Sequence, residues 1–444
     1  MDRMKTLGPP ARRRIEIAKP AHAGCGTADH DTRPSAGARA LGALASGALA
    51  LPGLALPARA DSPVQETTAR GAFSYYKEDN LSPSDFVNTT GTGSRERYSI
   101  FAYQFNLLTP LTSRIDASVD VAFETMSGAS PWWVEPDPDA ATSGQAFLQV
   151  MSGATIFDQR FDGQLTVNHY FDRGRASLTG GASSEKDYLS GNLGGSVERN
   201  YNDRNTTHSL GLGYSWDTIT PTDGATNHGR NLPSYAKNVF NLDTALSQIL
   251  TRSTLLEVAF AYKRSTGFLS DPYKRYLVGT GTTLPDSRPD TRNQITIAGR
   301  LRQHIAPWNA SIHLDAAYHW DDWEVNGFST ELAWYQTVFD VVRVIPNFRY
   351  YSQSQAYFYG PVFQSSSPVI GTSDYRLSPY GALSYGLRAE ADVIDWPSRG
   401  VNWFVSASYD RYLSSGDYAL QTVNNPNPGL VAYRLYSFQL GGRF

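Results

Sequence analysis

The chain has 444 residues, 41% of them hydrophobic and 18% charged, with a formal net charge of −3. That balance excludes bulk attraction to nucleic acid. A mean hydropathy of −0.38 with 26 tyrosines, 20 phenylalanines and 9 tryptophans suits strands with one apolar face and excludes a bundle of membrane helices. Cys25 is the single cysteine, so no disulfide can form within the chain and no cysteine-held zinc, iron–sulfur or haem site is available.

Residues 1–60 read as an address. Arg12, Arg13, Arg14, Lys19, Arg33 and Arg39 lead into the apolar run "ALGALASGALALPGLALPARA", Ala40–Ala60, which closes on Ala58-Arg59-Ala60. Basic, then apolar, then small-x-small is the pattern of a cleaved export signal. The expectation is a signal peptide with an extended basic leader over 1–60, cleavage before Asp61, and a barrel domain over 61–444. Pro52 and Pro57 break the run and argue against an anchor helix. Beyond residue 60 no stretch reaches the ~18 continuous apolar residues a membrane helix needs.

From there the chain alternates. In "RIDASVDVAFE" Ile115, Ala117, Val119, Val121 and Phe123 oppose Asp116, Ser118, Asp120, Ala122 and Glu124. A strand sorts these into one oily and one charged face, whereas a helix would mix them. The same holds in "TLLEVAFAYK", "SIHLDAAYHW", "QITIAGRLR" and "SLGLGYSW". The pattern predicts sixteen strands, near 66–77, 93–108, 113–125, 157–170, 175–186, 192–201, 206–217, 238–250, 254–265, 292–304, 309–320, 328–338, 343–357, 376–391, 401–413 and 431–444. Short turns, such as Thr109-Pro110 and Asp172-Arg173-Gly174, alternate with longer connectors, such as 126–156, 266–290, 359–375 and 414–430. That asymmetry predicts an all-β fold: a closed, antiparallel, up-and-down transmembrane barrel in a bacterial outer membrane. Its short turns face the periplasm and its long loops face out. In the last strand Tyr436, Phe438, Leu440 and Phe444 form an apolar face ending on an aromatic residue. Such an ending resembles the signal read by the barrel-assembly machinery, so that machinery and outer-membrane lipid are expected partners.

A barrel of this size is wide enough for a water-filled lumen. The lumen-lining candidates are Asp116, Asp120, Glu124, Arg160, Asp162, Glu257, Lys263, Arg300, Arg302, His313, Asp315, Arg349 and Arg388. Acids slightly outnumber bases on this face, which implies at most a mild cation preference. Cross-wall ion pairs that stiffen the barrel explain the mixture more simply. Glycines and serines (Gly181, Gly194, Gly211, Gly213, Ser177, Ser183) leave room inside. Trp132 and Trp133, in "SGASPWWVEPDPDAATSGQ", are expected to pin their loop into the lumen; Glu135, Asp137 and Asp139 beside them lack the spacing of a known calcium site. No nucleophile elbow, paired-histidine zinc helix or phosphate-binding glycine loop stands out, and a pair such as Ser311 and His313 is ordinary for a polar wall. No catalytic residue, metal site or cofactor is expected. The function expected is a passive channel or transport component, the alternative a scaffold for an envelope partner; a rim-active hydrolase ranks last.

Four phrases, "FSYYKED", "DVAFETMSGASPWW", "MSGATIFDQR" and "SSEKDYLS", resemble a bacterial family of outer-membrane β-barrels known only as a domain of unknown function. The SGASP and E-x-D-Y-x-S segments carry most of the likeness, which extends over 61–444. It implies a Gram-negative outer-membrane barrel with no established substrate. It also implies a cell-envelope redox setting, with genes for a thioredoxin-like protein and a flavin-attaching transferase nearby. The partner that follows is a periplasmic or lumen-filling redox protein, for which this chain would be a sleeve and carry no electrons itself.

Overall fold

The fold is that of a computed structural model, which describes residues 62–87, 94–143, 146–152, 156–221, 234–339, 341–364, 370–396 and 401–444. The expected leader, Cys25 and Asp61 lie outside the described residues. Sixteen strands form one closed antiparallel ring in chain order. They are β1 (Thr68–Glu78), β2 (Ser99–Thr112), β3 (Ile115–Gly128), β4 (Ile156–Phe171), β5 (Gly174–Ser184), β6 (Tyr188–Tyr201), β7 (Thr206–Ile219), β8 (Tyr235–Thr251), β9 (Thr254–Gly267), β10 (Thr291–Ile305), β11 (Ala310–Asp321), β12 (Asn326–Val338), β13 (Val342–Gln353), β14 (Tyr380–Trp396), β15 (Val401–Ser415) and β16 (Ala432–Arg443). The seam pairs β1 with β16, Phe73 opposite Phe438 and Tyr75 opposite Tyr436. Just beyond it Thr67 and Phe444 exchange backbone hydrogen bonds of 3.1 and 2.9 Å. Among the described residues no helix is long and apolar enough to cross a membrane, so strands do the crossing.

The alternation sets the two faces. Phe101, Tyr103 and Phe105 on β2, Leu189, Leu193 and Val197 on β6, and Leu210, Leu212, Tyr214 and Trp216 on β7 all stand exposed on the outside. Register makes these rows continuous around the wall: Leu193 faces Tyr214, and Leu212 faces Leu242. Water would make such a belt a liability, and lipid requires it. Both ends of the barrel chain lie at the short-turn end, and the long connections gather at the other. By the usual asymmetry of such barrels the first end is periplasmic and the second external.

Several boundaries depart from expectation, among them the start of β6 at Tyr188, not 192, and the end of β14 at Trp396, not 391. The first turn is at Ser113-Arg114, not Thr109-Pro110: β2 runs on through Pro110, where the ladder slips between Pro110 and Thr112. Proline, lacking an N–H, is tolerated at such an irregularity. β2 begins at Ser99, not 93, with Arg97 held in a buried ion pair with Glu78 at 2.5 Å. β13 ends at Gln353 and β14 begins at Tyr380, because Tyr375–Leu377 wind into a single 3-10 turn capped by the Asp374 carboxylate, which accepts from the Arg376 N–H.

Leu212 lies half-way along β7 on the lipid face. Leu212→Arg is expected to destabilise the inserted barrel by about 2–4 kcal/mol, whereas Ser215→Arg, on the inward face, should cost far less. Reversible denaturant titration in lipid vesicles measures both.

Candidate functional site: the lumen and the cap over its mouth

Each lumen-lining candidate falls on the inward register, opposite the exposed apolar rows. Most of these charges are already matched. Arg160 meets Glu124 at 3.4 Å and Asp162 at 3.0 Å, and Arg300 meets Glu257 at 2.9 Å. Arg302 pairs with Asp315, Arg349 with Glu331 at 3.4 Å, and Glu390 receives both Arg343 (2.7 Å) and Arg388 (3.2 Å). Asp120 accepts from the Asn106 amide, and Asp116 from the Asn168 amide, both at 2.7 Å. Lys263 stands in register between Asn241 and Gln294. Their exposure varies: the Asp315 side chain is 39% exposed and that of Arg302 29%, whereas that of Arg160 is 4% and that of Glu257 7% exposed. The exposed pairs contribute little net stability, but they set charge in contact with water.

The wall is uneven. On β5, β6 and β7 the inward positions include Ser177, Gly181, Gly194, Ser196, Gly211 and Gly213. Long side chains fill the other side, Arg349, Arg388, Glu390 and Asp410 among them. Small inward residues are thus concentrated on β5–β7, where Asn192 reaches beside Gly181 and the Asp243 carboxylate beside Gly211.

The external end is different. Inward-facing Tyr76, Tyr351, Tyr380, Tyr412 and Tyr433 crowd together around Tyr375 and Val431, which arrive from two external connections. Tyr380, though it faces the lumen, has no exposed surface at all. A second apolar cluster joins Trp323, Val325, Phe358, Tyr359 and Leu377. Charges complete the closure. The Asp374 carboxylate accepts from Arg288 at 2.8 Å and Arg376 at 2.7 Å, with the Lys274 ammonium 3.7 Å away. Arg376 also reaches Asp271 at 2.7 Å, and Arg288 reaches Asp286 at 2.7 Å. Lys274 donates to the Pro131 carbonyl at 3.0 Å, tying the connection after β9 to the one after β3, six strands round the ring. Arg97 donates to the Gly429 carbonyl, Asn427 to the Ser373 carbonyl, and Tyr273 to Asp187. Loops from opposite walls thus meet over the mouth and form a cap. None of these residues is marked in the sequence: alternating signs in "SDPYKRYLVG", "PDSRPD" and "SDYRLS" are visible, but pairings across 86 or 105 residues are not.

The remaining sequence candidates fall as follows. Trp132 and Trp133 stack at 5.5 Å on a hairpin (Pro131–Pro136 with Phe147–Met151) that belongs to the cap. Glu135 accepts from the Trp133 indole and Asp137 from the Asp139 N–H, so these acids serve the turn. A different acidic group gathers at the external rim, Asp158, Glu185 and Asp187, with oxygens within 4.8 Å of one another. Arg160, 3.9 Å from Glu185, and Tyr273 on Asp187 already answer it. Ser311 lies 3.4 Å from the His313 ring, which packs on Tyr335 with centroids 3.9 Å apart, while Asp315 is engaged by Arg302. Tyr436, Phe438 and Leu440 face lipid, and the exposed Phe444 ring meets Trp403 edge-on.

Residues 41–419 match the family described as "Protein of unknown function (DUF3570)". The chain belongs to that family. Among solved structures, this DUF3570 barrel is similar to a bacterial polysaccharide outer membrane secretin, 9% identical over 85% of this chain and 98% of that one, with a TM-score of 0.42. It is similar also to Acinetobacter baumannii OccAB1 (9%, 85% and 96%, 0.40) and to a Pseudomonas aeruginosa FadL homologue (10%, 86% and 90%, 0.35). Values this low carry no function across. No curated protein matches the chain.

The cap of the DUF3570 barrel has a built-in acid dependence. Burial alone would raise the Asp374 and Asp271 carboxyls, but Arg376, Lys274 and Arg288 outweigh it and hold both below their ordinary range. A depressed carboxyl contributes its stability in full above the unfolded value of about 4 and loses it as the pH falls through that range. Asp286, raised by burial despite Arg288, acts in the opposite sense, one group against two. The protection factors of residues 268–290 and 370–379, with intrinsic exchange divided out, are therefore expected to drop once the pH is below about 4. At pH 7, Arg376→Gln, which takes one of three cations from Asp374 and the hydrogen-bonded one from Asp271, should loosen the same segments by about 1–3 kcal/mol.

Proposed function

We propose that this barrel is an outer-membrane transport component whose external mouth is closed at rest by a latch of folded loops. The reading is supported by one contrast. The wall below the cap carries ion pairs, among them the half-hydrated Arg302–Asp315, and a side rich in glycine and serine, which suits a water-filled passage. The mouth above it is sealed by aromatic packing and a buried, charge-balanced network. A steadily open porin would not need such a cap. A solute would pass along the β5–β7 side once the latch parts, and the protein would leave it chemically unchanged. Against catalysis stands the Ser311–His313 pair, whose nearest carboxylate, Asp315, is committed to Arg302.

Planar-bilayer recording of the purified full-length barrel tests this. The native protein is expected to give rare, brief openings. A variant with residues 370–379 replaced by a glycine–serine linker should give long, steady current steps. Steady steps from the native protein, unchanged in the variant, would remove the latch and leave a passive channel.

A further inference from the structure

The inward arginines described above each meet a carboxylate, and so do Arg175, with Glu198 at 3.3 Å, and Arg292, with Asp321. Two inward arginines do not. Arg70 on β1 and Arg443 on β16 flank the closing seam at the periplasmic end, where Arg443 stands opposite Thr68 and Arg70 opposite Gly441. Among the described residues neither has a carboxylate within ion-pair reach. Both lie over the ring of Phe404, their guanidinium carbons 5.4 and 5.2 Å from its centroid. The local sequence builds this arrangement. Gly441 lies in register between Phe404 on β15 and Arg70 on β1, and a Cβ there would run into the Phe404 ring. The missing side chain lets the ring reach across the seam.

We propose that Arg70, Arg443 and Phe404 form an oxyanion-binding site at the periplasmic entrance of the lumen, taking the carboxylate or phosphate group of a small solute. A cation–π contact with the ring does not consume the guanidinium N–H donors, which remain for a planar or tetrahedral oxyanion. Arg443 repels Arg70 on a partly dehydrated wall, while Asp120 and Glu390 attract it from beyond ion-pair distance; an anion between the two arginines relieves the repulsion those acids leave. The Arg70 Nε is buried without an acceptor, and Asn402, directly opposite Arg443, has its amide oxygen buried without a donor. A ligand with an oxyanion and a nearby hydroxyl or N–H answers both. The proposal rests on the transport reading only in making this group part of the cargo; binding itself requires no pore.

Phenylglyoxal labelling of the full-length barrel in detergent, mapped by mass spectrometry, tests it, with inorganic phosphate and citrate as probes. Arg70 and Arg443 are expected to label ahead of the ion-paired inward arginines. Their labelling rate should fall about two-fold when the probe half-fills the site, while exposed arginines such as Arg434 are unaffected. In Arg70→Gln, protection of Arg443 should weaken; if that variant fails to fold, as judged by heat-modifiable migration, the native protection map decides alone. Labelling at Arg70 and Arg443 that is indifferent to both probes overturns the site. Protection in a barrel that never conducts keeps the site and removes transport; conduction without protection does the reverse.

Discussion

The need to satisfy every backbone N–H and C=O inside lipid governs this molecule. Hydrocarbon offers those groups no partner, so a sheet crossing it must close on itself. The β1–β16 seam meets that demand, and Thr67 and Phe444 extend the pairing beyond the last ladder residues. Closure in turn fixes the alternation. Once the ring is shut, every second residue belongs to lipid and every other to the lumen, and a slip of one residue anywhere would invert a whole strand.

The lumen side obeys a different rule. Inside, charges are tolerated because water and opposite charges are both at hand, and the chain uses both. Neighbouring strands place acid and base in register, as with Glu257 and Arg300 or Asp315 and Arg300. Glycine and serine replace long side chains at several inward positions of β5–β7, although the Arg175–Glu198 pair remains there. The same economy explains Gly441: leaving out one side chain lets the Phe404 ring reach the two arginines that the seam already sets diagonally across from each other.

How much of this was legible beforehand follows from the range of the forces involved. Strand count, order and facing depend on period-two alternation, which is local, so Asp116 through Arg388 could be assigned inward from "RIDASVDVAFE" and its kin. Ends were harder. Pro110 reads as a turn, yet it lies within β2 because the ladder slips beside it. Tyr375 reads as the approach to a strand, yet it turns into the tyrosine cluster. The cap was not legible at all. Arg288 and Asp374 look like ordinary loop polarity until folding brings them together across 86 residues. Arg70 and Arg443 lie on the inward register of β1 and β16, and nothing in the local sequence marks them as lacking carboxylate partners, because strand pairing decides which acids come near.

The chemistry of the cap bears on how it can move. An apolar plug gains nothing when it opens, because its surfaces meet water at a cost of about 25 cal/mol per Å². A buried ionic network is different. Its members lost hydration on closing, and their mutual attraction roughly offsets that loss. On opening, Asp271, Lys274, Asp286, Arg288, Asp374 and Arg376 would recover water, three acids and three bases with no net charge left behind. In the proposed latch the closed state would owe its specificity to these pairs and most of its strength to the tyrosine and tryptophan clusters. That division suits a latch: removing one ion strands its partners and loosens the whole cap, whereas parting all six together costs only the aromatic contacts and the geometry.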